Sequence, residues 1–112
     1  MSDEKAIVWL HTEIKTPPFS RDARIETGGL LRQLQLGTKL SMPSSRPMPT
    51  VGARCHELRI NDDGVQWRIL YRLDDDAIVI SHVFEKTTAQ TSKKDRELAQ
   101  KRLRKYDEDA NG

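Results

Sequence analysis

The sequence predicts an α+β fold: a small antiparallel sheet, made of an N-terminal strand and a three-stranded meander, packed against an N-terminal helical segment, with a helix at the C-terminus. Three observations carry that reading. Apolar and polar residues alternate through Arg54–Ile60 and again through Trp67–Leu73, the period of half-buried strands. Asn61-Asp62-Asp63-Gly64 separates those runs, and an Asp-Gly step favours a hairpin. Apolar stripes at helical spacing flank the strands, Ala23, Leu30, Leu31 and Leu34 before them and Leu98, Ala99, Leu103 and Tyr106 after them.

Taken in order, Ala6-Ile7-Val8-Trp9-Leu10 is a short run of strand formers and reads as a buried strand. Thr16-Pro17-Pro18-Phe19-Ser20 breaks the chain, and the Ser20 hydroxyl suits a helix N-cap. The helix runs to about Gln35 or Leu36, where Gly37 ends it. Gly28-Gly29 weakens its interior by about 1 kcal/mol per glycine, so either the helix splits there or it approaches the sheet closely. Thr38 to Gly52, with Pro43, Pro47 and Pro49, reads as a loop without an element. After the hairpin, Asp74-Asp75-Asp76 turns the chain into Ala77–Phe84, the most apolar strand and the expected centre of the sheet. Ser92 and Asp95 resemble a capping box for the last helix, and Asp107 to Gly112 reads as a frayed polar tail.

The length of 112 residues suits one domain, 1–112, ordered from about 5 to 106. Net charge is only +2, from 19 Lys and Arg against 17 Asp and Glu, so the chain is not one that coats nucleic acid through bulk charge. Any polyanion site must come from local clustering. The lone Cys55 excludes an intrachain disulfide and fits a reducing compartment. The polar N-terminus shows no signal peptide, and Ala77–Ile80 is far too short to span a bilayer. A cytoplasmic location without membrane contact is expected.

Strand parity supplies the clustering. If Leu58 and Ile60 face the core with Trp67, Ile69 and Tyr71, then Arg59, Arg68 and Arg72 share the other face, with Glu57 the nearby counter-charge. Such arginines either pair with Glu57, Glu85 or carboxylates of the last helix, or bind phosphate through their planar forks. His56 has core parity and reads as a core-side histidine with a satisfied hydrogen bond; His82 shares the parity of Ile80 and Phe84, and His11 is a loop residue. Three histidines and one cysteine at these spacings match no metal site. Lys86 reaches the arginine face only if the last strand ends or bulges there, and otherwise is a solvated strand end. The last helix carries seven basic residues from Lys93 to Lys105, either a solvated face or a surface for RNA phosphates.

The residues also carry a family likeness. Thr16-Pro17-Pro18-Phe19-Ser20, Arg46-Pro47-Met48-Pro49, Cys55-His56-Glu57-Leu58-Arg59-Ile60, Trp67-Arg68-Ile69-Leu70-Tyr71-Arg72 and Val83-Phe84-Glu85-Lys86 resemble the RelE/ParE toxins, in the phage-derived Gp49-like branch close to HigB, over about Lys5 to Tyr106. The resemblance implies the RelE-like fold and the toxin half of a type II toxin–antitoxin pair. It implies an endoribonuclease that cuts messenger RNA on the ribosome without metal or cofactor, the substrate 2′-hydroxyl attacking the adjacent phosphate. The implied partners are the ribosome, mRNA and a cognate antitoxin, commonly a helix-turn-helix protein of the HigA type. Carried over residue by residue, Arg68 would hold the scissile phosphate, Arg59 is the basic residue of the preceding strand, and Lys86 closes the last strand. Arg54, Lys93, Lys94 and Lys101 are expected RNA contacts. Thr87 stands where many relatives have a second basic residue, and Ala89-Gln90-Thr91 lacks an aromatic residue for base stacking, a place Tyr106 would have to fill. A ParE-like inhibitor of DNA gyrase and an inactive prophage module that only binds its antitoxin are the alternatives, since one fold serves them all.

Overall fold

The computed structural model describes residues 4–111. The chain forms β1 (Ala6–Trp9), α1 (Arg21–Gln35), β2 (Ser45–Pro47), β3 (Cys55–Asp62), β4 (Val65–Leu73), β5 (Ala77–Glu85) and α2 (Lys93–Asn111). The five strands make one sheet in the order β1-β5-β4-β3-β2. β2 to β5 pair antiparallel, but β1 lies parallel to β5, with Ala6 opposite Ala77 and Trp9 opposite Ile80. The sheet is therefore mixed, not wholly antiparallel. The chain leaves β1, crosses one face as α1 and enters at the far edge as β2, so the returning meander meets β1 in the same direction.

β4, not β5, is the middle strand. β5 is nonetheless apolar because both its faces are covered at one end: Ile78 and Ile80 pack under α1, while Ala77 and Val79 pack under α2. The α1 side holds Ala23, Leu31 and Leu34 against Leu58, Ile60, Ile69 and Tyr71. The α2 side holds Ala99 and Leu103 against Met48, Val51, Cys55 and Leu70. A helix on each face replaces the single covered face expected from the first helix.

Ser20 caps α1 as expected, accepting from the Ala23 amide at 3.0 Å, and Gly37 closes it at φ +90°. The helix runs unbroken through Gly28-Gly29, and both glycines are exposed. A Cβ on either would meet nothing within 4 Å. Neither a split nor a close approach to the sheet accounts for them, and nothing in the structure explains them. β2 lies inside the segment expected to be pure loop. Its edge position tolerates Pro47, and Ser45 Oγ bonds the Tyr71 hydroxyl at 2.6 Å.

α2 runs through Asn111, past the expected end near Tyr106. The cause is Arg72, which holds Asp107 by two bonds of 3.0 and 2.7 Å and Asp74 by two of 2.7 and 2.9 Å. Those contacts pin the last turns, so residues 107–111 are helix and not tail. No helix among the described residues is long and apolar enough to cross a membrane.

Candidate functional site

The α2 face of the sheet is only partly covered. Beyond the first turn of α2 it carries Glu57 and Arg59 from β3 and Gln66 and Arg68 from β4. Arg59 and Arg68 are direct cross-strand partners in the β3–β4 ladder. Like charges placed opposite one another cost stability, so the pair needs a counter-charge or a use. The counter-charge is Glu57, which is 0% exposed. Its Oε1 lies 3.6 Å from Arg68 Nε and 3.5 Å from Arg46 Nη2, and its Oε2 accepts from the Thr91 hydroxyl. Arg46 reaches it from β2, where it stands opposite Glu57 in register.

Arg68 is on the face that parity assigns it, but it is not an exposed grip. Its residue exposure is 3%, and it forms the floor of a cleft of about 340 Å³ lined by Ser44, Arg59, Asn61 and Gln66. Nη1 donates to the Trp67 carbonyl at 3.0 Å and Nη2 to Gln66 Oε1 at 2.9 Å, while buried Nε has no hydrogen-bond partner. Burial first, then the Arg59 charge, holds this guanidinium below its ordinary pKa. Arg59 is half-buried at the wall of the same cleft and points Nη1 at Met42 Sδ, 3.4 Å away.

Lys86 joins the cluster through a feature that strand parity alone misses. β4 and β5 slip register at Leu70/Tyr71: Leu70 faces His82 and Tyr71 faces Ile80. Ser81 is the extra residue, and its hydroxyl bonds the Leu70 carbonyl at 3.1 Å. Past this bulge the alternation inverts, so Phe84 packs on the α2 side and not with Ile80. Lys86 follows, its amide donating to the Gln66 carbonyl at 2.8 Å. The bulge lies five residues upstream of Lys86, not at it. Partial burial chiefly, then Arg68, lowers the Lys86 pKa, with Arg59 and Arg46 adding to it and Glu57 opposing. Arg46, Arg59, Arg68 and Lys86 thus gather around Glu57, and Glu26 of α1 also lines the Arg59 cleft, so four positive charges stand against two carboxylates, a local net of +2. Among the described residues, Arg59 and Lys86 form no salt bridge.

The same bulge moves His82 off the α1 side. Arg102 Nη1, which can only donate, lies 3.1 Å from Nδ1, so the ring is neutral with its proton on Nε2, 2.8 Å from Asp95 Oδ1. Asp95 also accepts from the Ser92 hydroxyl at 2.7 Å and donates its amide back to that oxygen at 3.1 Å, so the expected cap is also a dock onto β5. His56 keeps its core-side place, but its ring stacks on Tyr71 at 5.4 Å where a hydrogen bond was expected, and burial lowers its pKa. Arg72 is structural, locked to Asp74 and Asp107 rather than facing Glu57 alone.

The other expected RNA contacts are not gathered here. Arg54 lies at the opposite end of β3, about 17 Å along the strand from Arg59 at ~3.4 Å per residue, and is engaged with Asp74 and the Leu73 carbonyl. Lys93 is exposed and pairs with Glu97 at 3.7 Å, and Lys94 and Lys101 are exposed along α2. Among the described residues no three His, Cys, Asp or Glu side chains are grouped so as to hold a metal ion. Sequence reasoning missed Arg46, whose three-residue strand is too short to show a period, and Thr91, which ties the β5–α2 loop to Glu57. The pairing of Arg46 with Pro47 at a sheet edge was the available signal.

Residues 17–104 match the family described as phage derived protein Gp49-like, a span that takes in every described element except β1 and the last turns of α2. No curated protein and no solved structure is significantly similar to the chain.

Proposed function

The chain belongs to the phage-derived Gp49-like family, a family of RelE/ParE-like toxin type, and from that premise we propose that it is the toxin of a type II toxin–antitoxin pair with a RelE-like fold, an endoribonuclease that cuts messenger RNA on the ribosome in the cytoplasm. The observation that carries the reading is the cross-strand Arg59–Arg68 pair, joined by Lys86 and compensated by one buried carboxylate. A fold gains nothing from opposing two arginines on a sheet face, whereas a site for a polyanion does.

The chemistry follows from the placement. RNA cleavage by the substrate 2′-hydroxyl needs a proton acceptor, a proton donor and cations on the crowded phosphate. Arg59, free of a carboxylate partner among the described residues, takes the phosphate oxygens at the wall of the cleft. Arg68 supplies fixed positive charge from its floor, preorganised by Trp67, Gln66 and Glu57. Neutral Lys86, favoured by its lowered pKa, is the group best suited to accept the 2′-hydroxyl proton, and solvent water protonates the 5′-oxygen as its bond to phosphorus breaks. Glu57 is fully enclosed and His82 is committed to Asp95 and Arg102, so neither reaches a substrate as placed. The ribosome supplies substrate position, and a helix-turn-helix antitoxin of the HigA type is the proposed silencing partner.

Expression in a bacterium tests the proposal. Growth should stop and transcripts should carry new cut ends, and Arg59→Ala or Lys86→Ala should relieve both while the protein stays folded. Growth arrest with intact messages and altered DNA supercoiling would replace the ribonuclease by a gyrase inhibitor. Harmless overexpression of folded wild-type protein would leave only an antitoxin-binding module.

A further inference from the structure

A second cleft opens beside the cation cluster, on the far side of Arg46. It measures about 310 Å³ and is bounded by Arg46, Pro47 and Met48 on one side and by Gln90, Thr91 and Arg96 on the other. That volume sits at the lower end of the ~300–1,000 Å³ range of small-ligand sites. Its wall is fixed, because the Thr91 hydroxyl is bonded to the buried Glu57 carboxylate and Arg96 stands on the capped first turn of α2.

Buried Glu57 pairs with one arginine of each cleft. Arg68 Nε lies 3.6 Å from Glu57 Oε1 on one side and Arg46 Nη2 lies 3.5 Å from the same oxygen on the other. The two guanidinium nitrogens are therefore no more than about 7 Å apart, so the second cleft adjoins the first. Arg46 has donor capacity to spare: only Nη2 is engaged, with Glu57 and Met48 Sδ, and buried Nε has no partner. Arg96 forms no salt bridge among the described residues. Pro47 and Pro49, both exposed, add apolar surface on the Arg46 side of the cleft, while Met48 is buried in the α2-side core.

We propose that this cleft is a second nucleotide subsite, in which Arg46 and Arg96 hold the phosphate next to the one gripped by Arg59 and the base rests on Pro47 and Pro49. The inference rests on the ribonuclease reading and adds the direction of the strand: from the Arg59 cleft, past Arg46, to the start of α2. It makes the first turn of α2 part of the RNA surface through Arg96, and not through Lys94 or Lys101. The occupant it commits to is single-stranded RNA, because two arginines line one cleft and one of them, Arg46, shares Glu57 with Arg68 of the phosphate-binding cluster.

The test uses fluorescein-labelled 2′-O-methyl oligouridylates of two, three, four and six nucleotides, which bind without being cut, titrated into the whole protein by anisotropy. Affinity should rise roughly tenfold between two and four nucleotides as the added phosphate gains charge-assisted bonds. Arg96→Ala, on a half-buried helical turn where alanine is well tolerated, should abolish that gain, leave dinucleotide binding unchanged and lower the salt slope by about 0.7, the value for one single-strand phosphate. Arg59→Ala should weaken every length equally. An Arg96→Ala protein that binds four and six nucleotides as wild type does overturns the subsite and leaves the cleft to a protein segment, while the loss in Arg59→Ala would keep the functional reading. Wild-type protein that binds no oligonucleotide at any length also overturns the subsite, while cleavage of a message on ribosomes decides the functional reading separately.

Discussion

Glu57→Gln is the most informative single change to this chain. The substitution keeps the shape of the side chain and leaves an amide oxygen to accept from Thr91, so what it removes is the charge. Arg68 then stays almost fully enclosed, beside Arg59 and within reach of Lys86 and Arg46, with no counter-ion. Breaking a buried pair from one side costs about 3–5 kcal/mol. The Arg68 Nε–Glu57 separation of 3.6 Å is attraction without a hydrogen bond, which puts the loss at the lower end, about 3 kcal/mol. The Arg46 pair is partly exposed and adds at most about 1 kcal/mol. Against a total of about 5–15 kcal/mol for a small domain, that is a large share. At roughly 4–8 °C per kcal/mol, Tm should fall by more than about 10 °C. Urea denaturation followed by circular dichroism measures it directly. Arg68→Met in the Glu57→Gln background should recover most of the loss, since both charges are then gone. A Glu57→Gln protein within about 1 kcal/mol of wild type would refute the view that one carboxylate holds the cluster together.

Other outcomes follow from the same geometry. Gly28→Ala and Gly29→Ala should each stabilise the chain by about 1 kcal/mol in urea, because a Cβ meets nothing there; a loss would mean that the outer face of α1 is closely covered by something. Burial chiefly, against the pull of Asp95, holds folded His82 below its ordinary pKa of 6.5. The unfolded chain then takes up its proton first, so stability should fall as pH drops below about 6.5 toward the folded value, and His82→Asn should flatten that part of a pH series of urea curves. If Lys86 accepts the 2′-hydroxyl proton, its neutral fraction sets the rate, so cleavage should rise with pH below the lowered Lys86 pKa. Lys86→Arg keeps the charge and should lose that rise, whereas a parallel rise in both proteins would assign the proton to another group.

The hairpin was legible because Leu58, Ile60, Trp67, Ile69 and Tyr71 alternate without interruption and Asp63-Gly64 supplies the positive-φ turn, Asp63 at +48° and Gly64 at +88°. Parity placed Arg59 and Arg68 on one face for the same reason. It could not place Lys86 or His82, since one bulged residue at Ser81 inverts every side chain after it and Ser81 carries no local mark of a bulge. The apolar stripe of α2 was visible, but not the sheet face it covers, which depends on pairings distant in sequence. That hidden packing is what turns Arg72 into a clamp on Asp107. The depth of Arg68 was equally hidden, because it needs Glu57, Thr91 and Trp67 assembled from three elements. β2 and Arg46 escaped because three residues between prolines show no period.

The most direct test of the central claim, that Arg59, Arg68 and Lys86 form a site for cutting RNA, is cleavage of a defined message on purified ribosomes by the purified chain. Replacing the nucleotide 5′ to the mapped cut by its 2′-deoxy form should abolish that cut, the uncut product should persist, and ordinary RNA should end in a 2′,3′-cyclic phosphate that the folded Arg59→Ala and Lys86→Ala proteins fail to produce. Cutting that survives the 2′-deoxy substitution, or that both variants perform at the wild-type rate, would contradict the account.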